Sequence, residues 1–213
     1  MPDLNLNFAD LAPRQRYKLL CGLVVPRPIA LVSSMSPSGV VNAAPYSFFN
    51  AFSENPALIV LGLQHNEDGT PKDTTRNIHV SGEFVVNLVD ETLAERMNVC
   101  AVDFPAGTGE LDKAELTALP SVGVRPPRIA QSPVSFECQR VTGLSLGPRS
   151  TLEIGRVIHI HIRDDLVDPV KTYVHTEKMR LIGRMHGRGW YARTSDLFLM
   201  DRLNLEDWDA SKR

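Results

Sequence analysis

The chain has 213 residues, 43% hydrophobic and 23% charged, and its 23 basic and 25 acidic side chains leave a net charge of −2. That is the make-up of an ordinary globular domain, long enough to bury roughly 70% of its unfolded surface without a disulfide or metal staple. The balance carries no basic excess toward nucleic acid or an anionic membrane, and no apolar run is long enough to span a bilayer.

Residues 1–20 read as a polar arm with a short helical piece around Arg14 to Leu20, residues 21–200 as one domain, and residues 201–213 as a tail. The opening Met-Pro-Asp-Leu-Asn-Leu-Asn lacks both a basic start and an apolar core, which points to the cytoplasm. Cys21, Cys100 and Cys138 are odd in number and widely spaced, as expected of reduced thiols acting as small buried hydrophobes.

In chain order, Ile29 to Ser34 is a strand by composition, entered through Pro26 and Pro28. Ser36-Pro37-Ser38-Gly39 is a turn, and Val40 to Tyr46 leads back as a hairpin partner. Ala57 to Leu63 is an apolar strand buried on both faces. Lys72 to Ile78 starts a helix with Asp73 as candidate N-cap and Gly82 as C-cap. Phe84 to Val89 is a strand, and Thr92 to Glu95 reads as a capping box opening a helix to about Val102. Residues 103–133 are loop-like, with a short helical turn at 112–117. Val134 to Val141 and Thr151 to Arg163 alternate as half-exposed strands. On the second of these, Leu152, Ile154, Ile158, Ile160 and Ile162 share one face with Arg156, opposite Glu153, Gly155, Val157, His159 and His161. Successive strands without crossover helices argue for an antiparallel, mainly β barrel with short peripheral helices.

Several familiar chemistries lack their motif. No Gly-x-Gly-x-x-Gly and no Gly-x-x-x-x-Gly-Lys-Ser/Thr occurs. Gly143-Leu144-Ser145-Leu146-Gly147 matches a hydrolase elbow, with acids and histidines downstream, but Pro148-Arg149-Ser150 and a strand follow where a helix belongs. A glycine-rich hairpin is the simpler reading, with a serine hydrolase built on Ser145 as the alternative. His159 and His161 point the same way from one strand, toward a polar face, a pocket or a metal.

Three stretches carry more. Asn42 to Asn50 combines small residues, Pro45 interrupting a strand edge, and Ser47 and Asn50 beside aromatic surface, which suits a flat heteroaromatic ligand with a polar edge. Lys72 to Asn77 puts a cation, hydroxyls and free N–H groups at a helix start, which suits a phosphate monoester or serves as an ordinary capped helix. Gly183 to Tyr191 forms a tight loop in which His186, Arg188 and Trp190 could frame a ligand, and Arg184 or Arg188 attract nucleotide phosphates.

Taken in order, these stretches resemble the flavin reductase-like, FMN-binding split-barrel family. The likeness also includes Arg27 to Ser34, Gly39, Gly82 to Leu88, Phe136 to Cys138 and Ile154 to Val157. It implies a six-stranded antiparallel split barrel working as a homodimer, with FMN near the subunit interface. The implied cofactor shell is Arg27, Pro28, Ile29, Ser33, Ser34, Ala43, Ala44, Pro45, Tyr46, Ser47, Phe48 and Asn50, with Lys72, Asp73, Thr74 and Asn77 at the phosphate end. NAD(P)H is the implied electron donor, and a small molecule or a partner oxygenase the acceptor. A non-catalytic, flavoredoxin-like electron carrier is the second reading. Many relatives carry Gly-Gly after the arginine at position 184; here Met185-His186 intervene, and a histidine in place of a small residue narrows the nicotinamide or substrate pocket, while His186, with His159 or His161 as alternatives, is the candidate for proton traffic.

Overall fold

The computed structural model describes residues 3–105 and 107–210. Helix α1 (Pro13–Leu23) starts on Pro13, whose missing N–H costs nothing in the first turn. Strands β1 (Ala30–Met35) and β2 (Val41–Tyr46) form the expected hairpin, closed by Gly39 at φ +87°. Then follow β3 (Phe49–Glu54), β4 (Ala57–Gln64), α2 (Asp73–Ser81) and β5 (Glu83–Leu88). Helices α3 (Ala94–Val99) and α4 (Glu110–Lys113) precede the long strands β6 (Val134–Ser145) and β7 (Ser150–Ile162). Outside these lie three two-stranded ribbons, one of them ahead of β6, two 3-10 turns, a short helix Thr176–Met179 and a terminal helix, Leu205–Ala210. Among the described residues no helix is long and apolar enough to cross a membrane.

The sheet has seven strands, not the six expected, in the order β2-β1-β5-β6-β7-β4-β3, all antiparallel. The additional strand is β3. It escapes a sequence reading because it lies at a sheet edge with little burial, and Phe52 is 68% exposed. Strands β2 and β3 occupy opposite edges of the sheet, yet only Ser47 and Phe48 separate them in the chain. A link that short spans about 11 Å at most. The sheet therefore curls until its two edges approach each other at this bend, and Gly62 N–H on β4 donates to Phe48 O at 2.7 Å, carrying the β3–β4 ladder one rung into it.

Curling creates an inside and an outside. Ala30, Val32, Ile59, Leu61, Leu63, Phe84, Val86 and Cys138 pack inside, with Ile78 of α2 closing one end. Leu31 and Ala43 face outward into a second core with Leu93, Met97, Leu111 and Ile182. The unbroken apolar stretch of β1 thus reflects two cores, one on each face. Gly155 is obligatory on β7, since a Cβ there would lie 2.3 Å from Phe84 Cζ. The single isoleucine face expected on β7 is broken by a register shift that leaves Ile158 unpaired.

Local corrections share one cause: side chains expected to cap a helix bond elsewhere. Lys72, not Asp73, is the N-cap of α2, and Asp73 pairs with Arg76 in its first turn. Gly82 is the left-handed C-cap foreseen, at φ +70°. The Thr92–Glu95 box does not form. Thr92 Oγ1 donates to Asp90 Oδ1 at 2.7 Å, and the same oxygen accepts Leu93 N–H at 2.9 Å, so α3 is shorter than expected.

Buried polar side chains fasten what surrounds the sheet. Glu153 accepts from Arg140 Nε at 2.8 Å and also bonds His79 in the last turn of α2. On the outer face, Asn87 donates to Leu31 O and Ser33 Oγ, and its Oδ1 accepts from Ile129 N–H and Ser135 Oγ. Ser33 donates to Pro127 O at 2.5 Å. Glu137, 0% exposed, accepts Val122 N–H at 2.7 Å, Gly123 N–H at 2.6 Å and His161 Nε2 at 2.5 Å. Together they pin residues 122–129 against the sheet.

Burial alone would raise the Glu137 carboxyl, but its donors outweigh that and hold it below the usual range. A depressed carboxyl stabilises the fold above its unfolded value of about 4.3, and that contribution is lost as pH falls through the folded value. Glu137→Gln should cost about 1–3 kcal/mol at neutral pH. Urea melts from pH 7 to 3 should show wild type losing its advantage over the variant as the solution is acidified.

Candidate functional site

A cavity of about 840 Å³ opens at the bend where the sheet edges approach each other. The β2–β3 path contributes Asn42, Ala44, Pro45, Tyr46, Ser47 and Phe48; β4 adds Gly62 and Gln64. The loop into α2 brings His65, Asn66, Lys72, Asp73, Thr74 and Arg76, and the β6–β7 turn brings Arg149. Glu67, Pro71, Tyr17 of α1, residues 100–104 and Glu110 of α4 line the rest. The size falls within the range of small-ligand and cofactor pockets.

Two of the three stretches singled out in the sequence therefore meet. Ala44, Pro45, Tyr46, Ser47 and Phe48 share one cavity with Lys72, Asp73 and Thr74. Asn42 Nδ2 donates to Thr74 Oγ1 at 2.8 Å and ties the two segments directly.

The remaining candidates lie off the cavity wall. Ser33 belongs to the outer polar file, and Ser34 accepts from Asn77 Nδ2 at 3.2 Å, locking α2 to β1. Pro28 and Asn50 are exposed, Ile29 is buried in the outer core, and the Ala43 side chain faces that same core. Arg27 is 6% exposed and clamps the frame: Nη1 donates to Cys21 O and Val24 O, Nη2 to Met185 O at 2.9 Å, and Nε to Ser47 Oγ at 3.3 Å. Through Arg27 the third stretch is tied to the bend without lining it. His186 is exposed on the turn of the Ile182–Arg184/Tyr191–Arg193 ribbon, with its ring 5.8 Å from Trp190.

The histidine pair on β7 is also accounted for. His161 bonds Glu137, and His159 is exposed beside Gly123. Ser145 pairs with Thr151 at the β6–β7 hairpin, so a strand follows it where a nucleophile elbow needs a helix.

Sequence reasoning missed Tyr17, Gly62, His65, Cys100, Glu110 and Arg149. None belongs to a motif; each arrives through tertiary packing. Gly62 alone carried a readable signal, as a glycine within an apolar strand, which marks a close approach. A Cβ there would lie 2.9 Å from Phe48 Cβ.

Donors and charges at the site can be assigned. Ala43 N–H, on the open side of edge strand β2, is taken by Glu110 Oε2 at 2.9 Å. Pro45 has no N–H. Among the described residues, the N–H groups of Ser47 and Phe48 have no protein acceptor. Lys72 Nζ bonds Asp103 Oδ1 at 2.9 Å, Arg76 pairs with Asp73, and Arg149 has no carboxylate partner among the described residues. Burial pushes the Tyr46 phenol up to about 12, with Glu110 and Asp73 adding to the rise against a hydrogen bond from Thr74. Burial likewise pushes the Cys100 thiol up to about 12, reinforced by Glu110. Both groups are neutral at physiological pH, so Cys100 is no nucleophile. Burial raises the Glu110 carboxyl above its ordinary value despite the Ala43 N–H.

These residues fit a flavin mononucleotide. Ser47 and Phe48 on the cavity wall carry N–H groups without a protein acceptor, small residues leave room for a flat ring, and Lys72 and Arg76 at the start of α2, with Arg149 from the β6–β7 turn, suit a phosphate.

The chain is similar to known proteins along most of its length. The flavin reductase like domain model matches residues 22–181. The 2-nitrobenzoate 2-nitroreductase of Pseudomonas fluorescens is 34% identical, with a TM-score of 0.87, covering 95% of this chain and 98% of that one. Nitrilotriacetate monooxygenase component B from Bacillus cereus is also 34% identical, with a TM-score of 0.89, covering 94% of this chain and 100% of that one. An uncharacterised protein of Halalkalibacterium halodurans is 39% identical over 204 residues, 93% of this chain and 96% of its own length. The chain is a member of the flavin reductase-like domain family.

Proposed function

We propose that this chain is an FMN-dependent oxidoreductase that takes hydride from NADH or NADPH and passes electrons to a small molecule or a partner oxygenase. The observation that carries the reading is the meeting of the β2–β3 bend with the cationic start of α2 in one cavity. Similarity to proteins named as a nitroreductase and a monooxygenase component supports both kinds of acceptor.

The chain's own groups then have distinct tasks. Ser47 and Phe48 N–H bond the polar edge of the ring, where they stabilise negative charge that develops on reduction. Ala44 and Gly62 leave room for the ring, while Tyr46 and Phe48 supply apolar surface. Lys72, Arg76 and Arg149, with the N-terminus of α2, hold the phosphate. Arg27 keeps Ser47 in place from behind. Bound FMN supplies the two-electron chemistry, so no side-chain nucleophile is needed. His186, outside the cavity but on the ribbon that Arg27 joins to Ser47, acts on donor or acceptor rather than on FMN retention.

A homodimer completes the proposal. Phe198 is 83%, Leu199 87% and Met200 78% exposed, and Phe52, Leu146 and Ile160 are also more than half exposed. Exposed apolar side chains of this size are what a second copy of the chain would cover.

The purified protein should show a flavin spectrum, or acquire one with FMN, and bleach anaerobically with NADH or NADPH. Failure to bind FMN would remove the proposal, and bound FMN that neither donor reduces would turn it into the electron carrier. Lys72→Ala should weaken FMN binding about tenfold, or about 1.5 kcal/mol. In Gly62→Ala the added methyl must displace Phe48; fluorescence titration should show FMN affinity falling by a similar factor, with the far-UV circular dichroism spectrum unchanged.

A further inference from the structure

Glu110 stands in the cavity wall with no part in the proposed chemistry. It opens α4 and is 9% exposed, and its Oε2 accepts the outward N–H of Ala43. The groups around it come from every neighbouring element. Tyr46 of β2, Asp73 of α2 and Cys100 after α3 interact with it electrostatically, His65, Glu67, Lys72, Arg76, Asp103 and Arg149 line the same cavity, and Asp112 and Lys113 share its own helix. Among the described residues no cation is paired with it: Lys72 bonds Asp103 and Arg76 bonds Asp73. Tyr46 and Cys100 are neutral. Glu110 is thus the buried, cation-free one of four carboxyl groups, with Glu67, Asp73 and Asp103, on the wall of a cavity whose expected occupant carries a phosphate.

We propose that Glu110 is a proton-coupled gate for anionic ligands: ionised, it repels a phosphate-bearing occupant, and it takes up a proton when that occupant enters. The proposal rests on the FMN reading of the cavity. Burial already favours the neutral carboxyl, and a nearby dianion favours it further. At low pH Glu110 is neutral in both free and loaded protein, and affinity is highest. As pH rises through its range in the free protein, binding must carry a proton with it, and affinity falls. Once Glu110 is ionised in both states, affinity levels off at a lower value. Glutamine is permanently neutral and its carbonyl can still accept the Ala43 N–H, so Glu110→Gln holds the acid-side affinity throughout.

The test is fluorescence titration of flavin-free wild type and Glu110→Gln with FMN and with riboflavin, from pH 5.5 to 8.5. Calorimetry of wild type with FMN in two buffers of different ionisation heat counts protons. Relative to the variant, wild type should lose about tenfold in FMN affinity across the range and take up a fraction of a proton that the variant does not. Riboflavin, without a phosphate, should not distinguish the two proteins. The titrations of His65 and of the FMN phosphate are common to both and cancel in the comparison. Parallel FMN profiles, or a wild-type–variant difference equally large with riboflavin, would overturn the gate while leaving FMN binding intact. The wild-type proton count decides the matter even if the variant is poorly folded: no uptake beyond that of the phosphate itself overturns it. No FMN binding by wild type at any pH would remove the FMN reading, and the gate with it.

Discussion

The path of one chain segment governs this molecule. Residues 41–54 run along one edge of the sheet, bend through Ser47 and Phe48, and continue along the other edge. Two residues cannot bridge a flat seven-stranded sheet, in which neighbouring strands lie about 4.8 Å apart. Curvature is therefore imposed by connectivity rather than by side-chain preference. The bend is also where the ladder is interrupted, so the two N–H groups lost to the sheet become available to a ligand. The curvature of the sheet and the opening of the site are one event.

Around that bend the polar core works as scaffolding. Arg27 spends its guanidinium on three backbone carbonyls and Ser47, joining α1, the 182–193 ribbon and the bend. Asn87, Ser33 and Glu137 do the same for residues 122–129 on the outer face. Each of these groups is buried with its hydrogen bonds made, and removing one partner would strand the others. This explains how an arginine and a serine can belong to the ordered likeness around residues 27–34 and yet lie off the cavity wall: they hold the wall still.

What could be read from the sequence follows the same division. The strands with two buried faces or clean alternation, the α2 C-cap at Gly82, and the two segments that meet in the cavity were legible because local composition decides them. Strand β3 was not, since an exposed edge strand needs no hydrophobic pattern. The bulge at Ile158 was not, because register depends on the partner strand. Glu110 was not, because its bond to Ala43 spans 67 positions and nothing local announces it. The site is written half in motifs and half in packing, and only the first half can be read without the fold.

The charges lining the cavity show why its cations are available. Lys72 is 43% exposed and its partner Asp103 is 90% exposed; such surface pairs contribute about 0–1 kcal/mol. A phosphate offers the same cations shorter, stronger, charge-assisted bonds, and three of them at once. Exchange of a weak carboxylate partner for a phosphate is therefore downhill, and the acids released move into solvent at little cost. Glu110 is different. It is buried, it has no cation to release, and its charge cannot be turned out into water without breaking the bond to Ala43. Of the acids around the cavity it is the one whose ionisation an incoming anion must answer with a proton.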